Sequence, residues 1–477
     1  MVSNLGYEYI GLNVFLTSVV GFLSLGELGV SQAVTYSLYK PLSEKNNNKI
    51  SEILTLFKRI YQIIGSVIFF ISMSLLLFID KLINNNNIKN IGLYFFVYIL
   101  MTVSSYFLCY RDILINADQK GYKLAKINTI FNFINKIFQI CILIKTKSFL
   151  SWIIFTTVIT IINYFYTNNF IKKRYEKIDA SIYKNFTLKE LLNLNPELLK
   201  NTYTTFVYKL SLFITYKTDD ILITNLIGVS ILGKYSNYVL VTSLVASFIA
   251  KTFWSLNSAV GNYIVENSQK NIYKLWETLT WLSFYVATVS TFSIIKNMNQ
   301  FLIIWVGKDS ILNSFIFYVL MINFYIRIVR EPIELFRNGF GIFDGTKKVV
   351  IVEAVLNLII SITLGIRYGI IGIILGTLIS YLLGCFWFMP YITFKHGFKQ
   401  NQLKYYKIMF NNLLVSIMSM GISLYILNKL GIRSFIYSCI VSFISINIVY
   451  LSLSLKNENF YFILDKIKVG LKIRSKK

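Results

Sequence analysis

Long apolar stretches alternate with short polar ones along the chain, and each apolar stretch is about long enough to cross a bilayer. A membrane-spanning helix needs roughly 20 mostly apolar residues. The pattern predicts thirteen spans, at about 9–29, 60–79, 91–110, 126–144, 149–170, 204–227, 236–256, 275–295, 311–329, 349–366, 369–391, 407–427 and 431–455. The expected fold class is an all-α polytopic membrane protein. So little chain remains outside the spans that the function must lie within the helix bundle.

The same pattern repeats internally, at a spacing of about 222–225 residues. Leu5-Gly6 is followed by Gly11, and Ile227-Gly228 by Gly233, each pair ahead of a long apolar helix. Further on, a shift of 225 superimposes Asn128, Asn132 and Lys136 on Glu353, Asn357 and Ser361. Asp118-Gln119-Lys120-Gly121 and Asp344-Gly345-Thr346-Lys347 read as one turn used twice. Repeats of this kind mark transporters, with a substrate site between the halves. The expected division is an N-terminal lobe of five spans (1–170), a linker (171–203), a C-terminal lobe of six spans (204–395), two extra spans (396–455) and a basic tail (456–477). Part of the linker, about 186–199, could form an interfacial helix. A complete first half would need one more helix before residue 1.

Polar residues at bilayer depth are costly and mark interior faces or wet cavities. The span beginning near 204 carries Lys209, Tyr216 and Asp220 on one helical face, with Lys217 and Asp220 placed to pair at i, i+3. Lys209 and Asp219 would need partners on other helices. The group reads either as charges neutralised for packing or as a cavity wall for an anionic substrate or coupling ion. Lys136 stands near the middle of its span on the stripe Asn128–Asn132–Lys136, and is expected to face a central cavity between the lobes. Glu27 ends a small, polar face with Asn13, Thr17, Gly21 and Ser24; snorkelling explains it equally well. Lys251, near a span end, reads as snorkelling. The candidate substrate-binding residues are thus Lys136, Lys209, Lys217, Asn132 and Asn357. The candidate ion-coupling or structural charges are Glu27, Asp219, Asp220 and Glu353. Gly372, Gly376, Ser380 and Gly384 form a small-residue seam for close helix packing.

Charge adds a topology. The chain carries a formal net charge of +26, with 15% charged and 55% hydrophobic residues. Mean hydropathy is +0.58. The connections at 34–59, 111–126, 171–203, 257–274, 327–348 and 395–407 and the tail from 456 hold about 34 Lys and Arg, whereas the alternate connections hold about 10. The positive-inside rule places the first set, and the C-terminus, in the cytoplasm. Because the basic residues track span ends, lipid headgroups account for them and a nucleic-acid partner does not. No Lys or Arg precedes Lys40. That permits an N-out first helix, and would also follow if a preceding span lay outside this sequence.

Cys109, Cys141, Cys385 and Cys439 all fall in spans and read as small packing residues, and the one histidine is His396. No metal spacing, cofactor motif, P-loop or hydrolytic constellation emerges. A membrane polymerase or glycosyltransferase would need a substantial external loop with catalytic side chains, but the longest external connections are about 11–15 residues. The chain is not expected to be an enzyme.

Several strings, in order, resemble one family. Gly26-Glu27-Leu28-Gly29 followed by Tyr36-Ser37-Leu38-Tyr39-Lys40-Pro41-Leu42 looks like the start of Wzx-type polysaccharide repeat-unit flippases. These belong to the multidrug/oligosaccharidyl-lipid/polysaccharide exporter superfamily. Tyr208-Lys209, Asp219 and Tyr235-Ser236-Asn237-Tyr238 are similar to the family's seventh and eighth helices. Trp305-x-Gly307, Arg330-x-Pro332 and Gly369-x-x-Gly372-x-x-x-Gly376-Thr377 resemble later segments. The resemblance implies two pseudo-symmetric six-helix lobes that open alternately, with two added C-terminal helices and the family's first helix missing. It implies movement of an undecaprenyl-pyrophosphate-linked oligosaccharide to the outer leaflet of a bacterial inner membrane, for O-antigen or capsule. A polysaccharide polymerase and a chain-length regulator join membrane lipids as expected partners. The family pattern has Asn where this chain has Asp220, and no charge at Lys217. Another cargo in the same fold, a drug or a peptidoglycan precursor, is the alternative.

Overall fold

The computed structural model describes residues 2–24, 30–83, 88–179, 182–183, 185–195, 210–211, 214, 217–342, 344–432, 434–462 and 465. Among these the chain is helical, without β-strands. Ten described helices are long and apolar enough to cross a membrane. They coincide with ten of the expected spans. The expected span 9–29 is described as the shorter Tyr7–Leu23, 311–329 as the 16-residue helix Ser314–Val329, and 204–227 mainly over 217–226. By packing, the chain divides into two compact units, Met1–Gly233 and Lys234–Lys477.

The first unit contains α1 (Tyr7–Leu23), α2 (Val30–Ser43), α3 (Asn47–Leu76), α4 (Ile91–Leu108), α5 (Asp112–Ala117), α6 (Gly121–Thr146), α7 (Phe149–Arg174), α8 (Leu188–Asn193) and α9 (217–226). Local chemistry sets the boundaries. The Asn46 side chain caps α3 by accepting from Lys49 N–H. Lys147 in the left-handed region ends α6, and Ser148 caps α7 immediately afterwards, which folds the two into a hairpin. A capping box between Thr187 and Glu190 starts α8. Leu38, Leu54, Phe57, Tyr106, Leu114 and Leu191 pack the unit's main core at its basic-loop end. The described part of 171–203 therefore belongs to this unit, tied in by Asn195 Nδ2 donating to Glu52 Oε1 (2.9 Å) and Asp179 N–H donating to Ser51 Oγ (3.2 Å).

The second unit takes up most of α10 (Val229–Ser255), then α11 (Asn257–Glu266), α12 (Gln269–Trp305), α13 (Ser314–Val329), α14 (Glu331–Gly339), α15 (Asp344–Tyr368), α16 (Ile370–Leu383), α17 (Cys385–Ile392), α18 (Leu403–Leu430) and α19 (Phe435–Leu453). Its spine is the 37-residue α12. The last two helices fasten to that spine through a polar ladder. Thr288 Oγ1 donates to Ser416 Oγ (2.8 Å), Asn297 Nδ2 to Ser442 Oγ (2.9 Å) and Ser438 Oγ to Asn297 Oδ1 (2.6 Å). Below the membrane such bonds would compete with water; in lipid they join helices that no hydrophobic difference draws together. Trp276 closes the other end of α12 against Phe394, Phe398 and Tyr405.

Element order supports the repeat. The series α1 to α7 and the series α10 to α16 both run from a first helix through a shorter one to the longest (30 or 37 residues), then a helix of 18 or 16 residues, one of 6 or 9, and a closing helix pair. Gly6 (φ 85°) and Gly228 (φ 127°) both take positive φ just before α1 and α10. Side chains such as Phe70, Phe133 and Phe248 point outward from the helices, a surface suited to lipid.

Candidate functional site

Asp220 organises the clearest polar centre of the first unit. It lies on α9, 9% exposed. Ser18 Oγ of α1 donates to its Oδ2 at 2.7 Å, and Lys217 Nζ stands 3.7 Å from the same oxygen. The pair anticipated from the i, i+3 spacing is therefore present, but it is asymmetric: the carboxylate is buried while the lysine side chain is 53% exposed. The amine therefore keeps one open side. Asp219, one position earlier, is half-buried on another face of the helix. Ser18 was not among the sequence candidates. Its signal was present, since it lies beside the polar face Asn13–Thr17–Gly21, but serine recurs too often here to stand out.

A close helix crossing locates α1. A Cβ on Gly11 would lie 1.8 Å from Val229 O, and one on Gly233 would lie 2.1 Å from Tyr7 O. The two glycines that revealed the repeat thus let the backbones of α1 and the first turn of α10 touch. Tyr98 of α4 donates a hydrogen bond to Asn13 Oδ1 of α1.

A second polar centre lies on the α6–α7 hairpin. Lys136 is exposed, and its Nζ donates to Gln139 Oε1 at 3.2 Å. Gln139, itself buried, donates to Thr156 Oγ1 of α7 at 2.9 Å. Asn163 of α7 donates to Asn128 Oδ1 at 3.0 Å, while Asn132 is exposed on the same stripe. Lys136 is ten residues from the end of α6, about 15 Å along the axis. An ammonium at that depth calls for water, an anion or a polar cavity.

Repeat partners in the second unit have a different setting. Asn357 and Ser361 are fully buried and Glu353 nearly so. Asn357 Nδ2 donates to Thr377 Oγ1 (3.2 Å) and Ser361 Oγ to Ile373 O (3.1 Å), both across to α16. A Cβ on Gly376 would meet Ser361 Oγ at 2.2 Å, and one on Gly372 would meet Leu364 O at 2.0 Å. The small-residue seam therefore packs onto the face that carries Glu353 and Asn357. Lys209 and Glu27 lie outside the described residues.

Two helical units built on one repeated element order make up this fold, and it has counterparts among solved membrane proteins. Among solved structures, the chain is similar to "Lipid II flippase MurJ, inward closed conformation", with a TM-score of 0.68 and 15% identity, over 94% of this chain and 93% of that one. It is also similar to an inward-facing multidrug resistance MATE family transporter of the MOP superfamily, with a TM-score of 0.58 and 17% identity, over 82% of this chain and 92% of that one. An outward-facing MATE transporter matches at 0.51 and 15% identity, over 82% and 89%. No family model matches the sequence, and no curated protein does.

Proposed function

We propose that the chain is a flippase for a lipid-linked oligosaccharide whose linkage is a polyprenyl diphosphate, moved between leaflets by alternating access for surface polysaccharide assembly. The observation that carries this reading is the fold likeness to a lipid II flippase over 94% of the chain. The physics of the cargo agrees with the residues. A diphosphate cannot enter hydrocarbon without replacing its hydration, and Lys136, Lys217 and Lys209 offer positive charge within apolar segments. Asn132, beside Lys136, supplies a neutral donor for sugar hydroxyls. Glu27, Asp219 and Asp220 are the acidic groups for balancing these cations or taking up a coupling ion. The ordered strings shared with Wzx-type flippases favour a polysaccharide repeat unit, in a bacterial inner membrane with the C-terminus cytoplasmic. Its product would pass to a polymerase and a chain-length regulator. Lipid II, the cargo in the neighbour's description, is the competing substrate.

The test is leaflet accessibility of both lipid-linked species in cells with and without the protein. Repeat unit accumulating on the cytoplasmic leaflet of depleted cells, with lipid II unaffected, is the expected result. Lipid II accumulating instead would replace the cargo, and neither accumulating would overturn the flippase reading.

A further inference from the structure

The first unit holds a second basic feature, away from both polar centres. A cavity of about 860 Å³ opens where α7 ends, lined by Arg111, Asn169, Lys172, Lys173, Glu176 and Asp179 among others. That volume falls in the range of small-molecule sites. Arg111 is its unusual member. It is only 8% exposed, its Nε donates to Tyr110 Oη at 3.1 Å, and its guanidinium stands 5.4 Å from the Tyr110 ring. Yet it forms no ion pair among the described residues, nor do Lys172 and Lys173. A buried cation with no ion-pair partner in direct contact is expensive. With three cations against two carboxylates, the cavity keeps one net positive charge.

Position narrows the ligand. Lys172, Lys173 and Arg174 form the last turn of a membrane-length helix, and Phe170 and Tyr166, up to about two turns deeper, line the same cavity. Basic side chains at the tip and aromatic rings below match an amphipathic molecule with its anionic end at the membrane surface. Arg is suited to phosphate because its planar fork offers paired donors.

We propose that this cavity binds a phosphate-bearing lipid headgroup, with Arg111 as the buried anchor and Lys172 and Lys173 as the exposed contacts. The site stands apart from the transport reading. The headgroup could come from a bulk anionic phospholipid or from a polyprenyl diphosphate; both present the same phosphate oxygens.

Native mass spectrometry of the purified full chain, titrated with dioctanoyl phosphatidylglycerol, geranyl diphosphate and dioctanoylglycerol, tests it. Either phosphate-bearing probe should bind more tightly than the neutral dioctanoylglycerol, and the tighter of the two names the source. Lys172→Gln with Lys173→Gln should weaken that binding on the order of tenfold. Arg111→Gln should do the same, and Arg111→Lys should keep part of it. Both lysines are exposed, so the double variant remains a test even if Arg111→Gln fails to fold. Equal binding of all three probes, or unchanged binding to the lysine double variant, would overturn the site.

Discussion

Asp220 accepts from Ser18 and pairs with Lys217, and the two contacts call for different tests. Ser18→Ala removes a hydrogen bond to a charged group, worth about 1.5–3 kcal/mol, and should lower the thermal unfolding midpoint without a change of charge. The pair itself tests a structural role against one in transport. If Lys217 only neutralised Asp220, joint replacement by Gln and Asn would restore what either single change destroys. Because its side chain is 53% exposed, we expect otherwise. Lys217→Gln should abolish export, and the Lys217→Gln, Asp220→Asn double variant should stay impaired, as measured by leaflet accessibility of the lipid-linked repeat unit. Lys136 follows the same logic at mid-helix. Lys136→Arg should retain partial export and Lys136→Ala should stop it at normal protein level, since a diffuse anion responds to potential more than to shape.

Helix contacts set the next scale. Where a Cβ has no room, Ala should be as harmful as a larger residue. Gly11→Ala and Gly376→Ala should each cost about 1–3 kcal/mol through overpacking, seen as a loss of folded protein in detergent. Gly421, inside α18, has nothing within 4 Å of its would-be Cβ. Gly421→Ala should be neutral or stabilise by up to about 1 kcal/mol. At the turn between α5 and α6, Asp118 Oδ2 receives Lys120 Nζ (2.5 Å) and the Tyr175 hydroxyl (2.6 Å), clasping the turn to the chain just after α7. Burial raises the Asp118 pKa, but these two hydrogen bonds and the charges of Lys120 and Arg174 outweigh it and hold the group below its ordinary 3.8. A depressed carboxylate contributes stability that is present above the unfolded value and lost as pH falls through the folded one. The stability difference between the native chain and Asp118→Asn should therefore be constant at neutral pH and shrink as pH drops below 3.8. A difference that ignores pH would remove the clasp from the account.

For the whole molecule, the alternation of basic connections is the quantity to test. Reporter fusions at Lys177 and Asn85 should give opposite cytoplasmic and external signals, with Lys177 inside. Equal or reversed signals would overturn the orientation, and with it the expected cytoplasmic placement of the basic cavity at the end of α7. The two C-terminal helices belong to this scale as well. They are joined to α12 by the bonds of Ser416, Ser438 and Ser442, and the segment just after α19 adds Lys274 Nζ to Glu458 Oε2 at 2.9 Å. They are thus packed into the second unit and do not trail from it.

The sequence alone determined the fold class, because span length and lipid chemistry leave helices as the solution for a chain this apolar. It also determined the repeat, since Gly6, Gly11, Gly228 and Gly233 meet backbone requirements that no other residue meets as cheaply. It placed the small-residue seam on α16 correctly as packing. What it left open was which partner each polar residue would find. Asn357 and Asn132 occupy matching repeat positions and look alike in sequence, yet one is sealed against α16 and the other is exposed. Only the neighbouring helix decides that. Ser18 met Asp220 across 202 positions of chain, and Arg111 gained its cavity from the end of α7. Helical periodicity fixes a face, but the depth and company of that face are set by non-local packing, so tertiary structure alone could assign them.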